Sequence, residues 1–308
     1  FFSTDGSTVL TVDEQGQLRQ QAVATPTTHL WLLQHDNQVR FISSDAAGRR
    51  ILSAGLCNTA YLVEADTGRR LRKWSFDPQP AIQGAALSPD GESAVFSFGD
   101  RALIYQVSRE QQEPVTLTGD ISTASFSPDG TTLVTGGSAH GSVQLWEPRR
   151  GELVRLVGRS PGLVRAVAFS PDGKQIFTAG SEGSTRLWSL EGTAPPRIQC
   201  DPAETLVSAL LSPRGDKLLT GTAGGSVQLW DTKSGRQLVA VNGQSGTAIA
   251  FDLSGEMFVT GGPSGIISIW DRHGRVLSQF LGSNQEITAL AVGRQDGQLV
   301  FGDEGGSV

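Results

Sequence analysis

A turn that ends in glycine recurs through this chain at a nearly constant interval, and this interval limits the possible folds more than any other feature. Segments 126–130 and 169–173 both read Phe-Ser-Pro-Asp-Gly, and 87–91 and 211–215 are weaker copies. Eight such turns end at glycines that lie 39 to 43 residues apart: Gly6, Gly48, Gly91, Gly130, Gly173, Gly215, Gly255 and Gly297. A period near 42 residues indicates either the blades of a β-propeller or a helical array.

The residues around each turn favour strands over helices. Ser-Pro-Asp-Gly is a β-turn sequence, because proline presets φ at the second position and glycine relieves the exit. Short apolar runs flank the turn. They are followed by an alternating strand such as 142–146, a polar turn and a last short strand. Each unit therefore predicts four strands, and no long 3.6-residue period appears. We expect an all-β chain of four-stranded antiparallel blades, a β-propeller.

The third strand of each unit ends in a recognisable dipeptide. The dipeptide is Trp-Asp in two units, Trp230-Asp231 and Trp270-Asp271. Two units have close variants, Trp146-Glu147 and Trp188-Ser189, and two have more distant ones, Tyr105-Gln106 and Val63-Glu64. These units resemble blades of the WD40-repeat family, in particular its Gly-rich bacterial arrays. The resemblance covers essentially the whole chain and is strongest over residues 119–275.

One family motif is missing. Blades of the family usually carry a Gly-His pair before the first strand, but the corresponding pairs here are Gly119-Asp120, Gly158-Arg159, Gly243-Gln244 and Gly282-Ser283. The hydrogen-bond network that the resemblance implies is therefore expected to be half present. Its Thr and Trp members remain as a structural blade core in four units: Thr135 with Trp146, Thr178 with Trp188, Thr220 with Trp230, and Thr260 with Trp270.

The number of blades is left open by the length. The 308 residues correspond to about 7.4 units of this period,. We favour seven blades, the common number that the resemblance implies, and eight remain possible. Residues 1–308 are interpreted as a single domain. It opens inside a first strand and stops inside a third, so we expect an excerpt of a longer chain.

Charge and composition exclude several classes of function. The net charge of −6 argues against a nucleic-acid groove,. No apolar run is long enough for a membrane span, and no signal peptide is visible. Two cysteines, Cys57 and Cys200, exclude a disulfide scaffold and favour a reducing, cytoplasmic location,. No cofactor is expected.

No segment predicts a catalytic or metal site. Gly158–Gly162 matches the spacing of a nucleophile elbow, but the segment after it predicts a strand where that motif needs a helix,. The turn residues Asp90, Asp129 and Asp172 belong to separate blades, so we interpret them as turn residues. The tryptophans recur once per blade at one register, which indicates core packing and not an aromatic cage.

Four side chains are candidates for partner binding. His140 and Glu182 occupy equivalent turns between second and third strands, where they are expected to be exposed. Arg165 occupies a first-strand position that holds uncharged residues in four other units, namely Gln83, Ser122, Val207 and Thr247. Arg159 lies in the adjoining loop. The pair could anchor an acidic peptide, since arginine binds carboxylates well. The alternative is a solvated loop.

Further basic residues lie in the second unit and in one later turn, namely Arg49, Arg50, Arg69, Arg70, Arg72, Lys73, Arg149 and Arg150. We interpret them as scattered surface charge on turns and outer strands.

The leading hypothesis for function is a non-catalytic scaffold that binds proteins or peptides through loops on the propeller faces. Neither a membrane nor a small molecule is expected as a ligand. The alternative is a regulatory or sensing module of a larger signalling enzyme such as a serine/threonine kinase. An enzyme in its own right is disfavoured, because the four histidines are scattered.

The blade assignment can be tested by truncating one tryptophan. Replacing Trp230 by alanine is expected to lower the free energy of unfolding by ~3–5 kcal/mol, because a buried aromatic side chain is lost. Thermal unfolding of the variant measures this. An unchanged melting curve would contradict the assignment.

Overall fold

The computed structural model describes residues 8–303 except 13–16, 23–28, 36–38, 56–57, 78–79, 110, 161, 181–184, 192–205, 223, 242–247, 253 and 293–298. All regular structure in the described residues is β-strand, so the all-β prediction is confirmed. None of these residues lies in a helix that could cross a membrane.

The described chain forms two compact units. The first runs over residues 7–169 and 176–178, and the second over 170–175 and from 179 onward. Strands of the first unit are β1 (Thr8–Val12), β2 (Gln17–Ala22), β3 (His29–Gln34), β4 (Val39–Ser44), β5 (Arg50–Gly55), β6 (Thr59–Glu64), β7 (Arg70–Ser75), β8 (Gly84–Leu87), β9 (Ser93–Ser97), β10 (Gly99–Gln106), β11 (Val115–Ile121), β12 (Thr123–Phe126), β13 (Leu133–Gly136), β14 (Ser142–Glu147), β15 (Glu152–Arg159) and β16 (Val164–Phe169).

The remaining strands begin at the division between the units. They are β17 (Gln175–Gly180), β18 (Thr185–Ser189), β19 (Leu206–Leu211), β20 (Lys217–Thr222), β21 (Val227–Asp231), β22 (Gln237–Val241), β23 (Ala248–Phe251), β24 (Met257–Gly261), β25 (Ile266–Asp271), β26 (Val276–Leu281), β27 (Ile287–Val292) and β28 (Leu299–Asp303).

Consecutive strands pair into eight sheets, one for each repeat unit of the sequence. Five sheets have four strands in simple order: β4 to β7, β8 to β11, β12 to β15, β19 to β22, and β23 to β26. Sheets β1–β2–β3 and β16–β17–β18 have three described strands, and β27–β28 has two. Four-stranded meanders at a 42-residue period are propeller blades, which confirms the fold class. Seven sheets thus contain three or four described strands, and an eighth contains two.

The repeated turn is held by a local hydrogen-bond network. The Ser127 hydroxyl donates to Asp129 at 2.6 Å and accepts from the backbone N–H of Thr132 at 2.9 Å. The same serine–aspartate contact joins Ser88 to Asp90 and Ser170 to Asp172, each at 2.5 Å. The turn aspartates therefore fold the chain back between the first and second strands, as the sequence indicates.

One turn lacks the aspartate and replaces it from a nearby position. Arg214 stands at the aspartate position of the fourth copy, 211–215. There the Ser212 hydroxyl donates instead to Asp216 at 2.8 Å. A carboxylate two residues further on therefore accepts the same serine proton.

A basic side chain also joins neighbouring sheets in each unit. Arg50, which begins β5, donates to the carbonyl oxygen of Gly91 and to Glu92 in the next sheet, both at 2.7 Å. Lys217 begins β20 and contacts the carbonyl oxygen of Gly255 at 3.2 Å and Glu256 at 3.9 Å. Arg50 and Lys217 occupy the same position in their repeats, two residues after the turn glycine. The contact between sheets therefore recurs, and Arg50 is not scattered surface charge.

Apolar side chains fill the space between successive sheets. Trp74 on β7 lies 5.2 Å from Phe96 in the following sheet, measured between ring centroids. Arg72 is 8% exposed, and its guanidinium lies 5.1 Å above the Trp74 ring and donates to the carbonyl oxygen of Gln106. The interpretation of Arg72 as surface charge is therefore wrong. Its stem and planar head pack between two sheets, where carbonyl groups and rings replace water.

Two glycines of the first unit allow a matched test of turn geometry. Gly130 and Gly141 have φ values of +70° and +62°, so alanine is strained at both,. A Cβ at Gly130 would lie 3.6 Å from Pro89, whereas one at Gly141 would lie 2.3 Å from the carbonyl oxygen of Ser160. Gly141→Ala is expected to cost ~1–3 kcal/mol more than Gly130→Ala. Chemical denaturation measures both variants, and equal losses would contradict the close backbone approach.

The turn network also predicts a loss of stability in acid. The Ser127 hydroxyl and Thr131 N–H lower the pKa of Asp129, and the Ser170 hydroxyl and Lys174 N–H lower that of Asp172. A lowered pKa in the folded state contributes stability above the unfolded value of 3.8, and this contribution is lost as the pH falls through the folded value,. The free energy of unfolding should therefore fall below about pH 4.

Variants show whether these aspartates are responsible. The double substitution Asp129→Asn and Asp172→Asn is expected to flatten the acid decline, because the amide keeps an acceptor oxygen but has no charge to titrate. Asp66→Asn, on an exposed turn after β6, is the matched control. Denaturant titrations across the acid range measure the slopes. A decline as steep in the double variant as in the control would disprove this role.

Candidate functional site

The recurring Trp and Thr residues meet inside their sheets. The indole N–H donates to the threonine hydroxyl at 2.8 Å for Trp146 and Thr135, 3.2 Å for Trp230 and Thr220, and 3.0 Å for Trp270 and Thr260. Trp188 and Thr178 are also buried, at 6% and 1% exposure. In the three bonded pairs, the polar end of the indole is satisfied within its own sheet, which leaves the ring as an apolar surface.

The rings of Trp146 and Trp270 pack against the preceding sheet. Trp146 belongs to a cluster with Val95, Ile104 and Leu117, all from the sheet before its own. Trp270 likewise packs with Leu229 of the preceding sheet. Phe258 also stacks on the Trp270 ring, with 6.0 Å between the ring centroids, so both indoles lie within packed apolar clusters. The tryptophans therefore hold sheets together.

The positions of the missing histidines are occupied by other polar groups. Asp120 accepts from the backbone N–H groups of Ala139 and His140 at 2.8 and 2.7 Å. In the last sheet, the Ser283 hydroxyl donates to Asp303 at 2.5 Å. Asp120 thereby binds the turn between the second and third strands of its sheet, whereas Ser283 binds the last residue of the second strand β28. The prediction of a half-present network is therefore incomplete, because the link remains with different chemistry. Gln244 lies outside the described residues.

Two chain segments meet at one edge of the β12–β15 sheet. The backbone N–H of Ser160 donates to the carbonyl oxygen of Gly141 at 2.8 Å, and that of Val164 to Gly137 at 3.0 Å. Antiparallel pairing places the β13–β14 turn and the β15–β16 connection at the same end of the sheet. We call residues 137–141 and 159–165, without 161, the 137–165 edge. It is a fixed backbone frame that carries exposed side chains.

The candidate partner-binding residues are partly collected on this edge. His140, Arg159 and Arg165 are all exposed there, and the His140 ring lies 3.8 Å from Asp120, measured from Nδ1 to the carboxylate. Glu182 lies outside the described residues. The assignment of all four to partner binding stays a prediction.

The apparent nucleophile motif lies within this frame and is shaped differently from a catalytic elbow. Ser160 is buried, and the segment after it enters strand β16. A nucleophile elbow requires a helix there, with the serine oxygen exposed. Ser160 therefore belongs to a connection between sheets.

Sequence reasoning overlooked a second arginine equivalent to Arg165. Arg165 stands eight residues before the turn glycine Gly173, and Arg40 stands eight residues before Gly48. Both side chains are exposed on first strands of the first unit, β16 and β4. Counting back from each glycine reveals Arg40 at the same register, so Arg165 is not the sole charged residue there, although four other units hold uncharged residues.

Metal chemistry has no visible centre in the described part of the chain. No group of three or more His, Cys, Asp or Glu side chains comes together there in a form that could hold an ion. The turn aspartates each bond to a serine of their own turn. What the geometry offers is fixed backbone with charged side chains, which suits recognition.

Comparison with known sequences agrees with these repeats. The family model described as "WD domain, G-beta repeat" matches residues 112–147 and 151–189. Transducin beta-like protein 3 of Bos taurus is 30% identical over 49% of this chain and 19% of its own length. The Mus musculus protein of that name is 26% identical over 78% of this chain and 33% of its own. The chain thus spans about a third or less of these relatives.

A bacterial sequence and a solved structure extend the comparison. A WD repeat-containing protein of Synechocystis sp. is 37% identical over 22% of this chain and 20% of its own length. The crystal structure of the computationally designed Ika8 protein matches the fold with a TM-score of 0.77, covering 100% of this chain and 93% of that one at 21% identity. Residues 112–147 and 151–189 are thus WD40 repeats, and the rest of the chain resembles them in its 42-residue β-sheet units and its bonded Trp and Thr pairs.

Proposed function

We propose that this protein is a non-catalytic scaffold that binds partner proteins or peptides through the 137–165 edge. The observation that carries this proposal is the combination of a fixed frame and exposed charge. The two backbone hydrogen bonds at 2.8 and 3.0 Å hold the edge, while His140, Arg159 and Arg165 project as exposed side chains. Loops on a rigid scaffold bind partners with little ordering cost.

The family relationship supports the same direction. WD40-repeat proteins generally mediate protein–protein contacts, and the relatives found are WD-repeat proteins. A net charge of −6 favours protein partners over nucleic acid, because a polyanion would be repelled by the molecule as a whole,. The proposal needs no bound cofactor or metal.

The proposal predicts that a partner depends on this edge. The full chain, immobilised and exposed to extract of its native cell, should retain a polypeptide at near-stoichiometric amounts. A variant combining His140→Ala, Arg159→Glu and Arg165→Glu should lose that polypeptide, because the exposed contacts are removed while the backbone frame remains. Quantitative mass spectrometry of the eluates measures retention.

A matched variant separates this effect from a general change of charge. Arg149→Glu with Arg150→Glu reverses two exposed charges on the β14–β15 turn, at the opposite end of that sheet. It should retain the partner, and both variants should melt within a few degrees of wild type. Retention of nothing by the wild-type chain, or equal retention by both variants, would contradict the proposal.

A further inference from the structure

The first strands of four consecutive sheets in the first unit form one surface. Neighbouring strands β4 and β8, β8 and β12, and β12 and β16 approach with Cα atoms within 8 Å of each other. Side chains also join them: the Ser43 hydroxyl accepts from Leu87 N–H at 3.1 Å, and the Ser122 hydroxyl donates to the carbonyl oxygen of Val164 at 3.1 Å. We call these four strands the first-strand surface.

One register position runs along this surface. Arg40, Gln83, Ser122 and Arg165 each stand eight residues before a turn glycine, so the repeat places them at the same level of successive sheets. Arg40, Gln83 and Arg165 are exposed. The two arginines lie at the ends of the row, with two uncharged polar residues between them.

Both arginines keep their charge available. Among the described residues, neither Arg40 nor Arg165 forms an ion pair or a side-chain hydrogen bond. By contrast, Arg50 pairs with Glu92 and Arg101 with Asp100. The four strands contain no Asp or Glu at all, reading VRFISS, GAAL, TASF and VRAVAF. The row is therefore locally positive in a protein that is negative overall.

Described acidic side chains that flank these strands already have other partners. Asp45, after β4, accepts from the N–H groups of Arg49 and Arg50. Asp120, before β12, accepts from the β13–β14 turn. Each carboxylate serves its own turn, so neither compensates the exposed guanidinium groups.

We propose that the first-strand surface binds an extended acidic peptide whose carboxylates pair with Arg40 at one end and Arg165 at the other. This inference rests on the proposed scaffold function and names its partner class. Arginine forms bidentate bonds with carboxylates, and the exposed polar side chain of Gln83 lies between the two arginines of the row,. Because each strand of the row contacts the next, a single extended segment, which advances ~3.3 Å per residue, can run across all four strands,.

A peptide is favoured over a nucleic acid by the composition of the surface. The aromatic side chains of the four strands, Phe41, Phe126 and Phe169, are buried or partly buried, and the positive charge of the strands is limited to two side chains,. A nucleic acid presents charge at every nucleotide and would be repelled by the net charge of −6,. Two separated cations fit a chain with two separated carboxylates.

Fluorescence anisotropy with the full chain tests this inference. The probe is a fluorescein-labelled peptide of about twelve residues, with glutamates about eight residues apart and Gly-Ser between them. Arg40→Glu and Arg165→Glu are each expected to weaken binding by about three- to tenfold, and the double variant by more. Raising ionic strength from about 0.05 M to about 0.5 M should weaken wild-type binding, because salt screens exposed charges.

Controls make each outcome decisive. Arg150→Glu, an equal charge change on an exposed turn of the same unit, should bind the peptide like wild type. Binding by the double variant within twofold of wild type, an equal loss with Arg150→Glu, or equally tight binding of a single-stranded oligonucleotide would overturn the assignment. If one of these outcomes is found while the wild-type chain still retains its cellular partner, only the acidic-peptide site is disproved. If it retains no partner at all, the scaffold function fails.

Discussion

The bond from an indole N–H to a threonine hydroxyl is the contact on which the sheet packing depends. In Trp146 and Trp270 it satisfies the one polar atom of the ring within its own sheet. The ring can then be buried against the preceding sheet without an unpaired donor, whose burial would cost free energy. Each of these tryptophans therefore stabilises both the strand pair in which it lies and the contact of its sheet with the preceding one.

The edges of the sheets show how a motif can change while its mechanical role remains. Asp120 stands where the family has histidine, and it accepts from two N–H groups of the turn it faces. Ser283 instead donates to a carboxylate at the end of strand β28, Asp303. The residue after the motif glycine accepts hydrogen bonds in the first case, Asp120, and donates one in the second, Ser283. What is retained is a short polar link, which at Asp120 fixes the turn, and such a fixed turn can present exposed residues to a partner.

Much of the fold could be predicted because the repeat contains local chemistry. The serine, proline and aspartate of segment 126–130 define a turn by contacts within six residues, such as the bond from Ser127 to Asp129. The site was less predictable. Arg72 is a basic residue flanked by other basic residues, as its exposed neighbours are, yet its side chain is buried against Trp74. Burial of a long cation depends on which sheet comes next to it, and no local pattern contains that information.

By itself the sequence determined the period, the four-strand unit, the turn chemistry and the pairing of Thr with Trp, because these depend on residues close together in the chain. Only the tertiary structure decided which charges are compensated. Arg50 and Arg40 lie ten residues apart, but Arg50 meets Glu92 of the next sheet, whereas Arg40 faces an acid-free strand row shared with Arg165. The physical reason is that electrostatic partners are chosen by distance in space, which the stacking of sheets sets across more than forty residues of chain.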